Sequence, residues 1–277
     1  MSVSTGFYNV LTAAVNDLAL HGFDNATRVN EWMDQIERAA KESLIPEHQL
    51  DLQLRNTFKA QYERLIHRAG ILKFHPGVSR FTLAKVEPKL RGELDRRIMA
   101  SANLIKMNRQ DAIQKTLQRF SGWATSIPAG GTKQADKVET KTEVRKALAQ
   151  LPFAERRVAI DQGHKFAANL NNILATDGGA IAGVWMSHFR QKNYNFREEH
   201  KERDEKYYVI RGNWAMTKGF MQLAGRQYTD QITAPGEEPM CRCSLRYVYS
   251  LRSLPPDMVT EKGRADLARV RALIDAG

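Results

Sequence analysis

The hydrophobic pattern of this chain turns from mainly helical to mainly β-prone after Gly178-Gly179, and that change limits the folds open to it. Before the glycine pair, apolar residues recur three and four positions apart, the period of a one-sided helix. Phe7, Val10, Leu11, Ala14, Val15 and Leu18 form the first such stripe, with Ser4 and Thr5 available as caps and Gly22 as a stop. Val29, Trp32, Met33, Ile36 and Ala40 form a second, capped by Asp24 and ended before Pro46; Leu50, Leu54, Phe58, Tyr62 and Leu65 form a third, closed by Gly70. Stripes of this kind leave one apolar face per helix, so the helices must pack on one another or on a partner.

The stretch from Ile71 to Phe81 breaks the period, with a Pro76-Gly77 turn between short β-prone pieces, and helix resumes with Pro88 at a first helical position. Leu90, Leu94, Ile98 and Ile105 lead on toward Ile113, Leu117 and Phe120. Small and charged residues around Pro128, Gly130 and Gly131 mark residues 126–139 as the linker between a helical assembly domain, 1–125, and a second domain, 140–254. Thr140 and Glu143 have capping-box spacing for the next helix, which Pro152 interrupts; a further helix runs through Phe166 and Leu170 to Gly178-Gly179. After it come β-prone runs at Ile181 to Phe189, Tyr207 to Arg211 and Leu245 to Leu251. Asp257 is placed to cap a last basic helix, within 255–277, through Leu267, Val270, Leu273 and Ile274. The fold class is α+β: a mainly helical N-terminal domain, a small α+β domain and a C-terminal helix.

Charge and cysteine usage narrow the chemistry. Forty-two Lys and Arg against 31 Asp and Glu give a net charge of +11 over 277 residues, which favours an acidic partner such as nucleic acid, anionic lipid or an acidic protein surface. From Lys89 to Arg119 eight basic residues face three acidic ones, a local net of +5, and Lys89, Arg91, Arg96, Arg97, Lys106 and Arg109 are the candidate contacts to nucleic acid. Acidic residues interrupt the run and no aromatics interleave it, so a solvated helix face is the simpler reading. The N-terminus lacks the pattern of a signal peptide, and no apolar run approaches the roughly 18 residues of a membrane span, so synthesis in the cytoplasm without membrane insertion is expected.

The two cysteines form Cys241-Arg242-Cys243, which excludes a disulfide scaffold. On a strand the two would point to one face with Cα atoms roughly 6.6 Å apart, beyond the preferred disulfide separation of about 5.5–6 Å. Two thiolates with His200 and His188, the nearest histidines in sequence, would make a tetrahedral zinc set; small thiols packed beneath a sheet are the simpler reading. His200, with Asp204 four residues on, also has the spacing of an oriented acid or base, but no nucleophile or oxyanion partner accompanies it and an ion-paired surface helix is the preferred reading of the segment. No Gly-rich phosphate loop is present.

Taken in order, Trp185-Met186-Ser187-His188, Arg197-Glu198-Glu199-His200, Asp204 and Pro239-Met240-Cys241-Arg242-Cys243 resemble the Mu F-like domain of phage head-morphogenesis proteins. The resemblance rests on Trp185, Arg197, His200, Asp204, Cys241, Arg242 and Cys243, and spans roughly residues 156–249. It implies a minor structural protein of a tailed-phage head rather than an enzyme. The implied location is the virion near the portal, with the portal as partner, major capsid or scaffolding protein as further partners, and non-specific contact with packaged double-stranded DNA. A metal-dependent enzyme or toxin-like effector of the phage interior, and a free-standing non-specific DNA-binding protein, are the alternatives.

Overall fold

The computed structural model describes residues 5–67, 71 and 74–275. Three amphipathic helices come first, α1 (Thr5–His21), α2 (Ala26–Glu42) and α3 (Glu47–Ile66), followed by two long ones, α4 (Arg80–Ala124) and α5 (Lys137–Asp177). Strand β1 (Ala182–Met186), the one-turn helix α6 (Glu198–Glu202), β2 (Tyr207–Val209), the short α7 (Trp214–Thr217), β3 (Ser244–Val248) and α8 (Glu261–Asp275) complete the order. The layout is helical with a small antiparallel sheet and a C-terminal helix, as the change of period implies. No helix among the described residues is long and apolar enough to cross a membrane.

The ends of these elements correct several expectations. The cap of α2 is Asn25, whose side chain accepts from the Arg28 N–H at 3.1 Å; Asp24 instead accepts from Asn25 N. Asp136 rather than Thr140 starts α5, its Oδ1 taking the N–H groups of Val138 and Glu139 at 2.9 Å each. Thr260 rather than Asp257 caps α8, accepting from Gly263 N at 3.1 Å, while Asp257 pairs with Arg226. Pro88 and Pro152 lie inside α4 and α5 and break neither. Ile71 and Phe74 are helical and Arg80 already opens α4, so no strand occurs among the described residues of that stretch. The expected stop at Gly70 and the capping role of Ser4 lie outside the described residues.

The chain divides into two compact units, and each is discontinuous: Met1–Asn56 with Ile98–Ile160, and Thr57–Arg97 with Asp161–Gly277. The first is built around the stripes of α1 and α2, where Phe7, Leu11, Val15, Leu18, Val29 and Ile36 pack with Ile113, Leu117 and Phe120 of α4 and Val144, Leu148 and Leu151 of α5. The segment expected to be a linker belongs to this unit. Its backbone is tied to the α1 end by Gly130 N to His21 O at 3.0 Å and Thr132 N to Ala19 O at 2.8 Å, and Phe23 N donates to Ile127 O at 3.1 Å. A Cβ at Gly22, whose φ is +76°, would run into the Pro128 carbonyl, so this turn needs glycine for both conformation and space.

The second unit joins the end of α3, the start of α4 and the end of α5 to the sheet. Phe58 and Phe166 meet edge to face at 5.7 Å, and Gln61 donates to the Gly163 carbonyl at 2.9 Å. The sheet has the order β2-β1-β3, antiparallel throughout, with Ala182 opposite both Val209 and Val248 and Trp185 opposite Leu245. β1 is central and buried on both faces, as its run of apolar residues requires. Ala182 and Val184 face a core of Val209, Met221, Val248, Leu251 and Met258. Trp185 faces the other way, onto Tyr208, Cys241 and Cys243.

Candidate metal centre

The site forms where three segments meet on the Trp185 face of the sheet. His200 sits on the single turn α6, and Cys241 and Cys243 lie in the extended run just before β3, not within a strand. All three are buried. His200 Nδ1 is 3.6 Å from Cys241 Sγ and 3.6 Å from Cys243 Sγ, and the three donor atoms lie within 4.8 Å of one another. The group can hold a metal ion. His188 is not part of it: the ring is exposed and lies beside Tyr194 at 6.4 Å.

The loop holding the cysteines is fixed from several sides. Met240 has φ +60°, and its N–H donates to Asp161 of α5 at 2.5 Å. Arg242 N donates to the Tyr194 hydroxyl at 3.1 Å, which itself donates to Met240 O at 3.3 Å. The two cysteines thus flank a residue whose backbone is clamped, and both sulfurs turn inward. The hydrogen bond with the Cys243 thiol pulls the Cys241 thiol down to about 5 against the opposing effect of burial. Cys243 is pushed up by that same bond and then by burial.

The other ring nitrogen of His200 faces carboxylates. Nε2 is 3.3 Å from Glu238 Oε2 and 3.6 Å from Glu199 Oε1. Arg197 Nε is 2.6 Å from the same Glu238 oxygen, and Arg197 Nη2 donates to Pro239 O at 3.1 Å. Trp185 packs against the imidazole at 5.2 Å with planes 70° apart, and the Arg203 guanidinium lies over the indole at 5.1 Å. Asp204 does not orient His200: its Oδ1 accepts Ser187 N at 2.7 Å and its other oxygen pairs with Arg190 at 3.1 Å. Its role is to hold the end of β1, alongside Glu205 N donating to Trp185 O at 2.8 Å.

Glu238, Asp161, Tyr194 and Arg203 are site residues that sequence reasoning did not nominate. Glu238 carries a faint signal, an acidic residue three positions before Cys241; nothing in the local pattern marks the other three.

The basic candidates for nucleic-acid contact are all paired. Lys89 meets Asp177 at 2.9 Å, Arg91 meets Glu87 at 2.7 Å, Arg96 and Arg97 share Glu93, and Lys106 meets Glu47 at 2.9 Å. Arg109 is buried, 2.6 Å from Glu155 and donating to the Ile45 carbonyl at 2.7 Å. Arg97 is nearly as enclosed, with Gln162 as a further partner at 3.0 Å. Arg97 and Arg109 therefore serve the interiors of their units, and Lys89, Arg91, Arg96 and Lys106 are the exposed members of the set.

No family model, curated protein or solved structure matches this chain.

Proposed function

We propose that this chain is a minor structural protein of a tailed-phage head, of the Mu F-like kind, that acts in head morphogenesis at the portal vertex without catalysing a reaction. The observation that carries this reading is the convergence of most of the ordered motif: Trp185, His200, Cys241 and Cys243 meet in one buried cluster, the half-exposed Arg197 borders it through Glu238, Asp204 fastens its edge, and Arg242 lies outside it over the Tyr194 ring. A set of residues that is only ordered along a chain has no need to converge. The exposed apolar residues Met99, Leu104 and Met107 on α4 offer surface for a protein partner, taken here to be the portal, with capsid or scaffolding protein as further neighbours. Packaged DNA is contacted without sequence preference through the remaining positive charge. Asymmetric reconstruction of particles carrying a tagged copy tests the assignment: density at the portal vertex is expected, and density spread over the shell, or none, overturns it.

The cluster itself favours a second statement, that its metal is zinc. Zinc–sulfur and zinc–nitrogen bonds of about 2.3 and 2.05 Å at a tetrahedral angle place sulfur and nitrogen about 3.6 Å apart. Both observed Sγ to Nδ1 separations are 3.6 Å. A thiol–imidazole hydrogen bond spans the same distance, so the separation fits zinc and packed thiols alike, and metal content decides between them. Elemental analysis of protein purified without chelator is expected to give one zinc per chain, and a metal-free protein overturns the reading.

A further inference from the structure

We propose that Glu238, held by Arg197, is a positioning residue that fixes the ring of His200 so that Nδ1 points at the metal; this rests on the zinc reading of the cluster. An imidazole binds a metal through an unprotonated nitrogen, so ligation by Nδ1 requires the proton on Nε2. Nε2 is buried and makes no aligned hydrogen bond, and neither does Glu238 Oε2, although the two atoms face each other at 3.3 Å. A small rotation converts that pair into an Nε2–H to carboxylate bond, the arrangement by which ligating histidines are commonly oriented.

Two carboxylates compete for this role, and geometry separates them. Glu199 is farther away, at 3.6 Å, and its side chain is 55% exposed, so water shares its oxygens. Glu238 is closer and half enclosed, and Arg197 pins it at 2.6 Å while binding the neighbouring Pro239 carbonyl. Arg197 therefore fixes both the carboxylate and the backbone that leads to Cys241. The motif gains a division of labour: Cys241, Cys243 and His200 ligate, Glu238 holds the ring, Arg197 holds Glu238, and Trp185 closes one side of the imidazole. No fourth protein ligand joins the three donors among the described residues, so the remaining position is open to water or to a ligand from a partner protein. With all three ligands buried, the ion acts as a clip between α6 and the segment before β3.

The test uses the full-length protein, with zinc affinity measured by competition against a chromogenic chelator and the ligand field read on the cobalt(II)-substituted form. Glu238→Ala is expected to weaken zinc binding by about tenfold to a hundredfold and to shift the cobalt ligand-field bands, with helical circular dichroism retained. Glu238→Gln, which keeps an acceptor oxygen, falls between, and Glu199→Ala matches the wild type in both readouts. The Cys241→Ser/Cys243→Ser double variant loses the metal. Wild-type zinc with undiminished affinity and an unshifted spectrum in Glu238→Ala overturns the positioning role alone, as does an equal effect from Glu199→Ala. A wild-type protein that binds no zinc overturns the role and the centre together.

Discussion

His75 is held in the interior of its unit between two polar partners: the Tyr249 hydroxyl lies 2.6 Å from Nδ1 and Asn171 Oδ1 lies 3.0 Å from Nε2. The Asn171 oxygen can only accept, so Nε2 carries the proton and Nδ1 accepts from Tyr249. Burial pushes the His75 pKa down, and the bond to Asn171 opposes it only in part. Folding therefore favours the neutral ring. As pH falls below the unfolded value of about 6.5, the unfolded chain takes up a proton that the folded chain resists, and stability is lost until pH passes below the depressed folded value. His75→Gln should flatten this dependence: the urea midpoint, followed from about pH 7.5 to pH 5, is expected to fall less steeply in the variant. Parallel slopes would show that His75 does not contribute. The partners of His75, like those of Glu238, could not be read from the sequence. A lone histidine before Pro76-Gly77 has no partner within reach along the chain, and Asn171 and Tyr249 come from elements far removed. The cysteines and His200 were legible because an ordered motif names them; the direction of each ring was not, which is why His188 was nominated and does not join the cluster.

Helical periodicity was legible at the level of the element, since a one-sided apolar stripe has few other ways to bury itself. The stripes of α1, α2 and α3 and all three strands lie where the pattern places them. Helix ends and breaks were less legible, because each is decided by competition among neighbouring residues of similar chemistry. Asn25 and Asp24, or Thr260 and Asp257, are comparable caps, and the winner depends on which way the chain arrives. Proline was the larger misreading. Pro88 lacks an N–H and its ring crowds the carbonyl four residues back, yet α4 continues through it. Both Pro88 and Ala84 are exposed, so the freed carbonyl faces water, while Val86 and Leu90 on the opposite side stay buried. Packing of that buried face outweighs a local defect of about 3 kcal/mol. Pro88→Ala should recover most of the defect, less about 1 kcal/mol for the more flexible unfolded chain, a net gain of about 2 kcal/mol. Thermal denaturation should show a higher midpoint; an unchanged or lower one would mean that the proline sits in a bend the helix requires.

At the scale of the whole molecule, composition pointed to a cut at residues 126–139, but the compact units are not consecutive stretches of chain. A glycine- and proline-bearing segment is as suitable for a tight, ordered loop as for a linker, and only its partners decide between them. Here Gly130 and Thr132 bond back to the end of α1, and α3, α4 and α5 each give residues to both units. A fragment of residues 1–125 is therefore expected to fail as an independent fold. It lacks Val144, Leu148 and Leu151, which are all but fully buried in the core with Phe7, Leu11 and Phe120. At about 1.5–3 kcal/mol for each aliphatic side chain buried, their loss removes roughly 5–9 kcal/mol, against a total of roughly 5–15 kcal/mol for a typical domain. The fragment also carries residues 57–97 without the α5 and sheet residues they pack on. It should show helical circular dichroism without a cooperative thermal transition, while the full chain melts cooperatively. A sharp, reversible transition in residues 1–125 would restore the boundary that composition suggests and would count against the division at 56/57, 97/98 and 160/161.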